Sequence, residues 1–328
     1  MGRTPMTRIA EDISLAVGNT PLVCLRQRSR WTGARILVKL EGANPARSVK
    51  CRLAAGLVSD AEQRGVIRPG MYVLEATCGN MGVALATVAA ARGYGCALCI
   101  PQLMDFDRRV LLASLGARII NTPLHLGMRG AIEEAEVIAG QDERAYYTRQ
   151  FDNPANPRVH EATTGPEIWE ATGGQLDYFV SGVGTGGTVT GVARFLRGKS
   201  AGLQVVAVEP DASPVIGQTL AGLALTPGAH RIAGLGCGFI PRTLDLNLLD
   251  RAERVTDEEA LRTMRELAAQ EGIVTGLSGG AAIAVATRIA SDPGAKGSTI
   301  VAILPDAGMV THAGSGDALG FGEVASCV

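Results

Sequence analysis

Short apolar runs alternate with longer amphipathic runs along almost the whole chain, and this alternation restricts the fold more than any other sequence feature. The short runs are rich in β-branched residues and end at glycine, proline or a charged residue, as strands covered on both faces do. They read ARILVKLE, MYVLEAT, CALCIP, ARIINTP, LDYFVSGVG, VVAVEP and STIVAILP. The longer runs place apolar residues at helical spacing, and most of them end in glycine. The sequence therefore predicts an α/β protein with open, mostly parallel sheets flanked by helices.

An irregular, polar stretch with NPANP at its centre, residues 147–166, interrupts the alternation. We predict that it separates two domains, residues 1–155 and residues 156–328. Because crossovers between parallel strands are right-handed, the turns from strand to helix should line one edge of each sheet, where ligands bind.

Composition excludes several classes of protein. The 328 residues suffice for one large or two ordinary domains with a real core. A net charge of −1, without blocks of like charge, argues against a surface for nucleic acid or for an anionic membrane. No run is long and apolar enough to span a membrane, and the N-terminus lacks the apolar core of a signal peptide. We therefore expect a cytoplasmic protein that acts on a small molecule.

The cysteines and histidines show no metal-ligand spacing. Cys96 and Cys99 form a C-x-x-C, but it lies inside a predicted buried strand, and no second pair is spaced to complete a zinc site. We interpret these thiols as structural and expect no bound metal.

The glycine-rich stretch 181–191, SGVGTGGTVTG, follows a predicted strand and opens a helix. Such a loop presents backbone N–H groups at a helix N-terminus and suits a phosphate. Gly182, Gly184 and Gly187 also fit G-x-G-x-x-G, and Glu209 ends the next strand, so this loop alone is compatible with a dinucleotide.

Three further turns could carry chemistry. Lys50 stands at a predicted helix start, where desolvation and the positive helix end would lower its pKa, so that it could form a Schiff base or act as a general base. Residues 75–82 and 276–281 are strand-to-helix turns with hydroxyl, thiol and amide side chains, and the first suits a carboxylate. Helix capping is the alternative explanation of both turns.

Together these motifs, with GNTPLV near the start and TRQFDNPANPRVHEATTGPEIWEAT before the glycine loop, make the chain resemble the cysteine synthase family. This is the O-acetylserine sulfhydrylase branch of the fold-type II pyridoxal-phosphate enzymes, which share a tryptophan synthase β-like fold. The resemblance runs from Gly18 to about Pro305 and replaces the dinucleotide interpretation. It implies a mobile, substrate-binding N-terminal domain and a C-terminal domain that binds the cofactor phosphate. A segment near residues 15–42 is expected to pack with the C-terminal domain.

The resemblance also implies roles for individual residues. Lys50 is the Schiff-base lysine and general base, Asn80 binds the phenolic oxygen of pyridoxal 5'-phosphate, and Ser278 faces the pyridine nitrogen. The phosphate cup consists of Gly184, Thr185, Gly186, Gly187 and Thr188. The carboxylate of the amino-acid substrate is expected at Thr77, Cys78, Gly79, Met81 and Gln150.

The activity implied is β-replacement on an activated serine such as O-acetylserine, through an α-aminoacrylate that a nucleophile such as sulfide attacks. The family also implies a homodimer and a partner, the C-terminal tail of serine acetyltransferase, in the active-site cleft. Cys51, Cys78, Met81 and Gly279 depart from the usual family pattern, as does the segment 308–312. An alternative is therefore a relative that uses O-phosphoserine or an amine nucleophile to make a non-protein amino acid such as 2,3-diaminopropionate. A third is a weakly active paralogue that serves as a binding partner.

Overall fold

The computed structural model describes residues 9–102 and 106–308, so residues 309–312 of the altered segment lie outside it. Its strands are β1 (Leu22–Cys24), β2 (Arg35–Leu40), β3 (Tyr72–Ala76), β4 (Gly95–Pro101), β5 (Ala117–Thr122), β6 (Ala145–Tyr147), β7 (Tyr178–Gly182), β8 (Gln204–Pro210), β9 (Arg251–Val255) and β10 (Thr299–Leu304). All seven runs predicted to be strands form strands.

The helices lie between these strands in chain order. They are α1 (Arg26–Thr32), α2 (Lys50–Gln63), α3 (Asn80–Arg92), α4 (Phe106–Ser114), α5 (Gly127–Gln141), α6 (Ala155–Val159), α7 (Gly165–Thr172), α8 (Gly187–Arg197), α9 (Val215–Leu220), α10 (Asp257–Glu266) and α11 (Leu277–Ala290). Across the described ranges, no helix combines the length and apolar character needed to cross a membrane.

The larger sheet has six strands in the order β1-β2-β10-β7-β8-β9. All neighbours run parallel except β1 and β2, which are antiparallel. Alternate residues of β10 enter different apolar clusters, Ile300 and Ala302 on one face and Val301 and Ile303 on the other. The sheet is therefore covered on both sides, which explains why its strands are almost continuously apolar.

The smaller sheet has four parallel strands in the order β5-β4-β3-β6. Helices α2 and α3 cover one face with an apolar cluster that includes Leu57, Leu85 and Leu98. Helix α5 packs on the other face against Leu74 and Cys99. The prediction of two open, mostly parallel sheets flanked by helices is confirmed. The division into domains at residues 155 and 156 stays a prediction.

The stretch 147–166, predicted to be irregular, is helical from Ala155 onward, and that prediction was wrong. Asn153 Oδ1 accepts a hydrogen bond from Ala155 N at 3.0 Å and so starts helix α6. A π-helical turn, His160–Thr164, then joins α6 to α7. Pro154 and Pro157 concealed the helix, although proline is tolerated in a first helical turn, where the N–H has no intrahelical acceptor.

Candidate active site

The glycine loop lies between β7 and α8 and packs closely against Gly234 and Asn156. Cβ atoms added at Gly184 and Gly187 would lie 2.2 Å from Gly234 O and 1.8 Å from Asn156 Oδ1. Gly186 has φ +82°, the left-handed conformation that favours glycine. A loop with side chains at these three positions could not take this shape.

The same loop has backbone N–H groups without protein partners in the described part of the chain. Within the described residues, the backbone N–H groups of 184–188 donate to no protein acceptor, and helix α8 has no side-chain cap. Such a group of N–H donors at the positive end of a helix fits a phosphate dianion. The assignment of residues 184–188 as a phosphate cup stays a prediction.

Lys50 begins helix α2 at the carboxyl-end edge of the large sheet. The preceding residue, Val49, donates its N–H to Pro305 O just after strand β10, at 2.7 Å. Burial lowers the pKa of Lys50 below the usual value of a lysine, and attraction to Cys237 and Glu75 offsets part of this effect. Cys237 Sγ donates to Gly184 O at 3.4 Å, which connects the surroundings of Lys50 to the glycine loop.

Helix α2 is anchored by buried charges beside Lys50. Arg52 Nε and Nη2 donate to the two carboxylate oxygens of Glu41 at 2.7 and 2.9 Å. Its Nη1 and Nη2 donate to Glu167 on α7 at 2.8 and 2.7 Å, and Lys39 Nζ donates to Glu167 at 2.6 Å. Burial opposes ionisation of Glu167, but the hydrogen bonds and charge of Arg52 and Lys39 lower its pKa to about 2. The arrangement fixes the start of α2.

Asn80 begins helix α3 and is linked to the large sheet by Asp306, a residue that we did not single out from the sequence. Asn80 Nδ2 donates to Asp306 Oδ2 at 3.0 Å, while Asp306 Oδ1 accepts from Gly276 N at 2.9 Å. Ser278 lies two residues after Gly276 in the first turn of α11 and is buried. Asp306 therefore joins Asn80 to the turn that carries Ser278.

The predicted substrate loop follows strand β3. Thr77 is buried, and its Oγ1 accepts from Gly79 N at 3.2 Å. Cys78 O accepts from Arg108 Nη1 at 3.2 Å. Met81 is only 2% exposed and packs in the apolar cluster under α3, so its contact with a substrate stays a prediction.

Gln150 is tied both to this loop and to the phosphate cup. Its Nε2 donates to Ala76 O at 2.9 Å. Asn156 Nδ2 donates to Gln150 O at 2.8 Å and to Thr185 Oγ1 at 3.0 Å. Asn156, which sequence reasoning also missed, thus brings a predicted substrate residue and a predicted phosphate residue into one network.

Glu75 is a fully buried carboxylate at the end of β3. It accepts hydrogen bonds from Gln150 N at 3.0 Å, from Ala76 N at 2.8 Å and from the hydroxyl of Thr148. Burial raises the pKa of Glu75 to about 7, although these donors lower it. Glu75 therefore holds the segment that carries Gln150 and titrates near neutral pH.

Two features read from the sequence have structural explanations. Both oxygens of Glu209 are occupied, accepting from Ile216 N at 2.7 Å and Gly217 N at 2.9 Å, so this carboxylate caps helix α9. Cys96 and Cys99 are buried on β4, and burial raises the pKa of each thiol to about 12.

Comparison with known proteins identifies the family. The model of the family described as "Pyridoxal-phosphate dependent enzyme" matches residues 13–306. The chain belongs to this family. It is therefore an enzyme whose cofactor is pyridoxal 5'-phosphate, and both the open N–H groups of the glycine loop and the lowered pKa of Lys50 fit that group.

Its relatives within the family include cysteine synthases. The chain is 52% identical to cysteine synthase A of Salmonella typhi over 306 residues, 92% of this chain and 94% of that protein. It is similar in structure to a cysteine synthase of Entamoeba histolytica, with a TM-score of 0.87, 38% identity and coverage of 94% and 90% of the two chains. A structure of O-ureido-L-serine synthase matches with a TM-score of 0.85 and 39% identity, covering 92% and 93%.

Proposed function

We propose that this pyridoxal-phosphate enzyme catalyses β-replacement on an activated serine of the O-acetylserine type, as cysteine synthases do. The observation that supports the proposal is the link through Cys237, which interacts with the buried Lys50 and donates to Gly184 O in a loop whose N–H groups at 184–188 have no protein acceptor among the described residues. The 52% identity to cysteine synthase A over most of both chains supports the same reaction.

When bound, pyridoxal 5'-phosphate captures the amine of an amino acid and withdraws electrons from its α-carbon. The N–H groups of residues 184–188 would hold the phosphate of this group. The Asn80 amide, which already donates one proton to Asp306, would donate its second proton to the phenolic oxygen, and the Ser278 hydroxyl would lie at the ring nitrogen. A neutral hydroxyl would not keep that nitrogen protonated, so the bound group would withdraw electrons less strongly and the site would favour elimination.

Lys50 Nζ removes the proton from the substrate α-carbon, and the leaving group departs from the β-carbon with its bonding electrons. After the nucleophile has added to the β-carbon, Lys50 returns a proton to the α-carbon. A lowered pKa supports this role, because only the neutral amine accepts a proton. The substrate carboxylate binds at residues 77–81 and Gln150. Closure of the N-terminal domain over the substrate excludes water.

A second candidate uses O-phosphoserine or an amine nucleophile to make a non-protein amino acid such as 2,3-diaminopropionate. Two observations favour it. Cys78 and Met81 replace hydroxyl donors in the substrate loop, and one similar structure is that of O-ureido-L-serine synthase. O-ureido-L-serine, the compound in that enzyme's name, is a serine that carries an oxygen-linked ureido group and no sulfur. A similar structure therefore belongs to an enzyme named for a product without sulfur.

The absorption spectrum of the holoenzyme, recorded with O-acetylserine and then with O-phosphoserine, tests the proposal. A change in the visible cofactor band with one donor identifies the leaving group, and mass spectrometry after addition of sulfide or ammonia identifies the nucleophile. Lys50→Ala should abolish turnover. Normal turnover in that variant, or a band that neither donor changes, would contradict the proposed reaction.

Family resemblance further motivates three proposals about the context of the enzyme: a cytoplasmic location, a homodimer, and binding of a serine acetyltransferase tail in the cleft. Light scattering tests the dimer, and a monomer mass would contradict it. A pull-down with and without substrate tests the tail, because docking in the cleft predicts competition.

A further inference from the structure

His160 is buried between two threonine hydroxyls, one of which belongs to the predicted phosphate cup. The residue is 2% exposed. Its Nδ1 lies 2.9 Å from Thr164 Oγ1, and its Nε2 lies 3.2 Å from Thr188 Oγ1. Both ring nitrogens are thus engaged by hydroxyl groups, which can either donate or accept a hydrogen bond.

The backbone holds the imidazole firmly against helix α8. His160 opens the π-helical turn between α6 and α7, and such turns are rare and frequently found at functional sites. Gly191 of α8 packs directly on this segment, since a Cβ there would lie 2.1 Å from Pro157 O and 2.8 Å from His160 Cβ. The ring can therefore reach the first turn of α8.

Burial keeps the ring of His160 neutral. Burial lowers the pKa of His160 well below its usual value, and the positive charges of Arg52 and Lys50 act in the same direction, while Glu167 opposes them. A neutral imidazole has one nitrogen that donates and one that accepts. The hydrogen bonds made by the two threonines decide which ring nitrogen donates and which accepts.

The acceptor character of a phosphate settles the direction of these bonds. Phosphate dianion oxygens only accept, and the hydroxyl of Thr188 has a single proton. If that proton goes to the phosphate, Thr188 Oγ1 must accept from His160, and the proton of the ring must then be on Nε2. The Thr164 hydroxyl, in turn, donates to Nδ1.

We propose that His160 is a positioning residue for the cofactor phosphate. Its Nε2–H donates to Thr188 Oγ1 and so directs the hydroxyl proton of Thr188 to a phosphate oxygen. This inference rests on the proposed function, because it requires that residues 184–188 bind the phosphate of pyridoxal 5'-phosphate. It adds a residue that touches neither the cofactor nor the substrate.

A double-mutant cycle on cofactor affinity tests the proposal. His160→Leu and Thr188→Val should each raise the dissociation constant of pyridoxal 5'-phosphate about tenfold, the effect of losing one hydrogen bond to a charged group. The double variant should bind no more weakly than Thr188→Val, because His160 acts only through Thr188. His125→Leu, the same change at an exposed histidine, should leave the dissociation constant unchanged.

The outcomes separate this inference from the proposed function. If Thr188→Val binds the cofactor normally, the assignment of the phosphate cup is wrong. If Thr188→Val weakens binding but His160→Leu does not, or if the two effects multiply to about a hundredfold, the role of His160 is wrong.

Nitrogen NMR of the unmutated holoenzyme provides a measurement that does not depend on the folding of a variant. The chain has four histidines, so the ring signal of His160 can be assigned by elimination, substituting each of the other three in turn. We expect a neutral His160 ring with its proton on Nε2. A proton on Nδ1 alone, or a charged ring at neutral pH, would overturn the proposal.

Discussion

Replacement of Arg52 by methionine is expected to destabilise the fold strongly, because it leaves a buried carboxylate without a cation. Arg52 is 1% exposed and makes four hydrogen bonds to Glu41 and Glu167. Without it, Glu167 keeps its ion pair with Lys39. Glu41, which is fully buried, keeps only neutral donors among the described residues, the Thr20 hydroxyl and the Asn44 amide.

Loss of one partner from a buried ion pair typically costs about 3–5 kcal/mol, a large part of the roughly 5–15 kcal/mol that keeps a protein folded. In urea, the free energy of unfolding of Arg52→Met should be lower than that of the unmutated protein by an amount in this range. Arg64→Met, at the exposed end of the same helix, should cost less than about 1 kcal/mol, because the Arg64 side chain is 54% exposed in its pair with Asp60. A loss below about 1 kcal/mol in Arg52→Met would refute the view that this cluster anchors the start of α2.

Three further perturbations test individual contacts. The raised pKa of Glu75 means that the folded state binds a proton more tightly than the unfolded state, so the free energy of unfolding should fall by up to about 3 kcal/mol as pH rises from 4.5 to 7. Glu75→Gln should remove this slope, and equal slopes in urea titrations of the two proteins would contradict it. Asp306→Ala should weaken binding of pyridoxal 5'-phosphate about tenfold, because the Asn80 amide loses the acceptor that orients it. Asp306→Asn should weaken it less. Unchanged cofactor titrations would exclude a role for Asp306 in orienting Asn80. Gly187→Ala should lower cofactor affinity more than tenfold because its Cβ would collide with Asn156 Oδ1. Adding Asn156→Ala should recover part of that affinity, and no recovery would mean that the collision is not the cause.

The parts of the site that could be predicted from the sequence are those encoded over a few residues. The glycine loop, the start of α2 at Lys50 and the start of α3 at Asn80 each follow from a strand, a turn and a helix in direct succession. Asp306 escaped notice because its partner Asn80 is 226 positions away. Asn156 and Cys237 were missed for the same reason, since their contacts with Thr185 and Gly184 are tertiary.

The strands that the sequence did not predict are β1, β6 and β9, and all three lie at sheet edges. Strands β1 and β6 have three residues each, and β9 reads RAERV, with three charged residues in five. Edge strands are short or charged because they are less enclosed and must not pair with other chains. The apolar pattern therefore identifies the central strands and the six-residue edge strand β5, and it overlooks the edge strands that are short or highly charged.

The position of β10 in the large sheet has a consequence for biosynthesis. This strand, the last in the described chain, lies between β2 and β7, and it is the only strand that connects β1 and β2 to the rest of the sheet. On the ribosome, β3 to β6 can assemble early, since they are consecutive in the chain and form a sheet of their own. The antiparallel pair of β1 and β2 cannot join the rest of the large sheet until β10 has been synthesised. Val49 cannot be anchored to Pro305 beside Lys50 before then either. The surroundings of Lys50 in the nascent enzyme thus remain incomplete until β10 has left the ribosome.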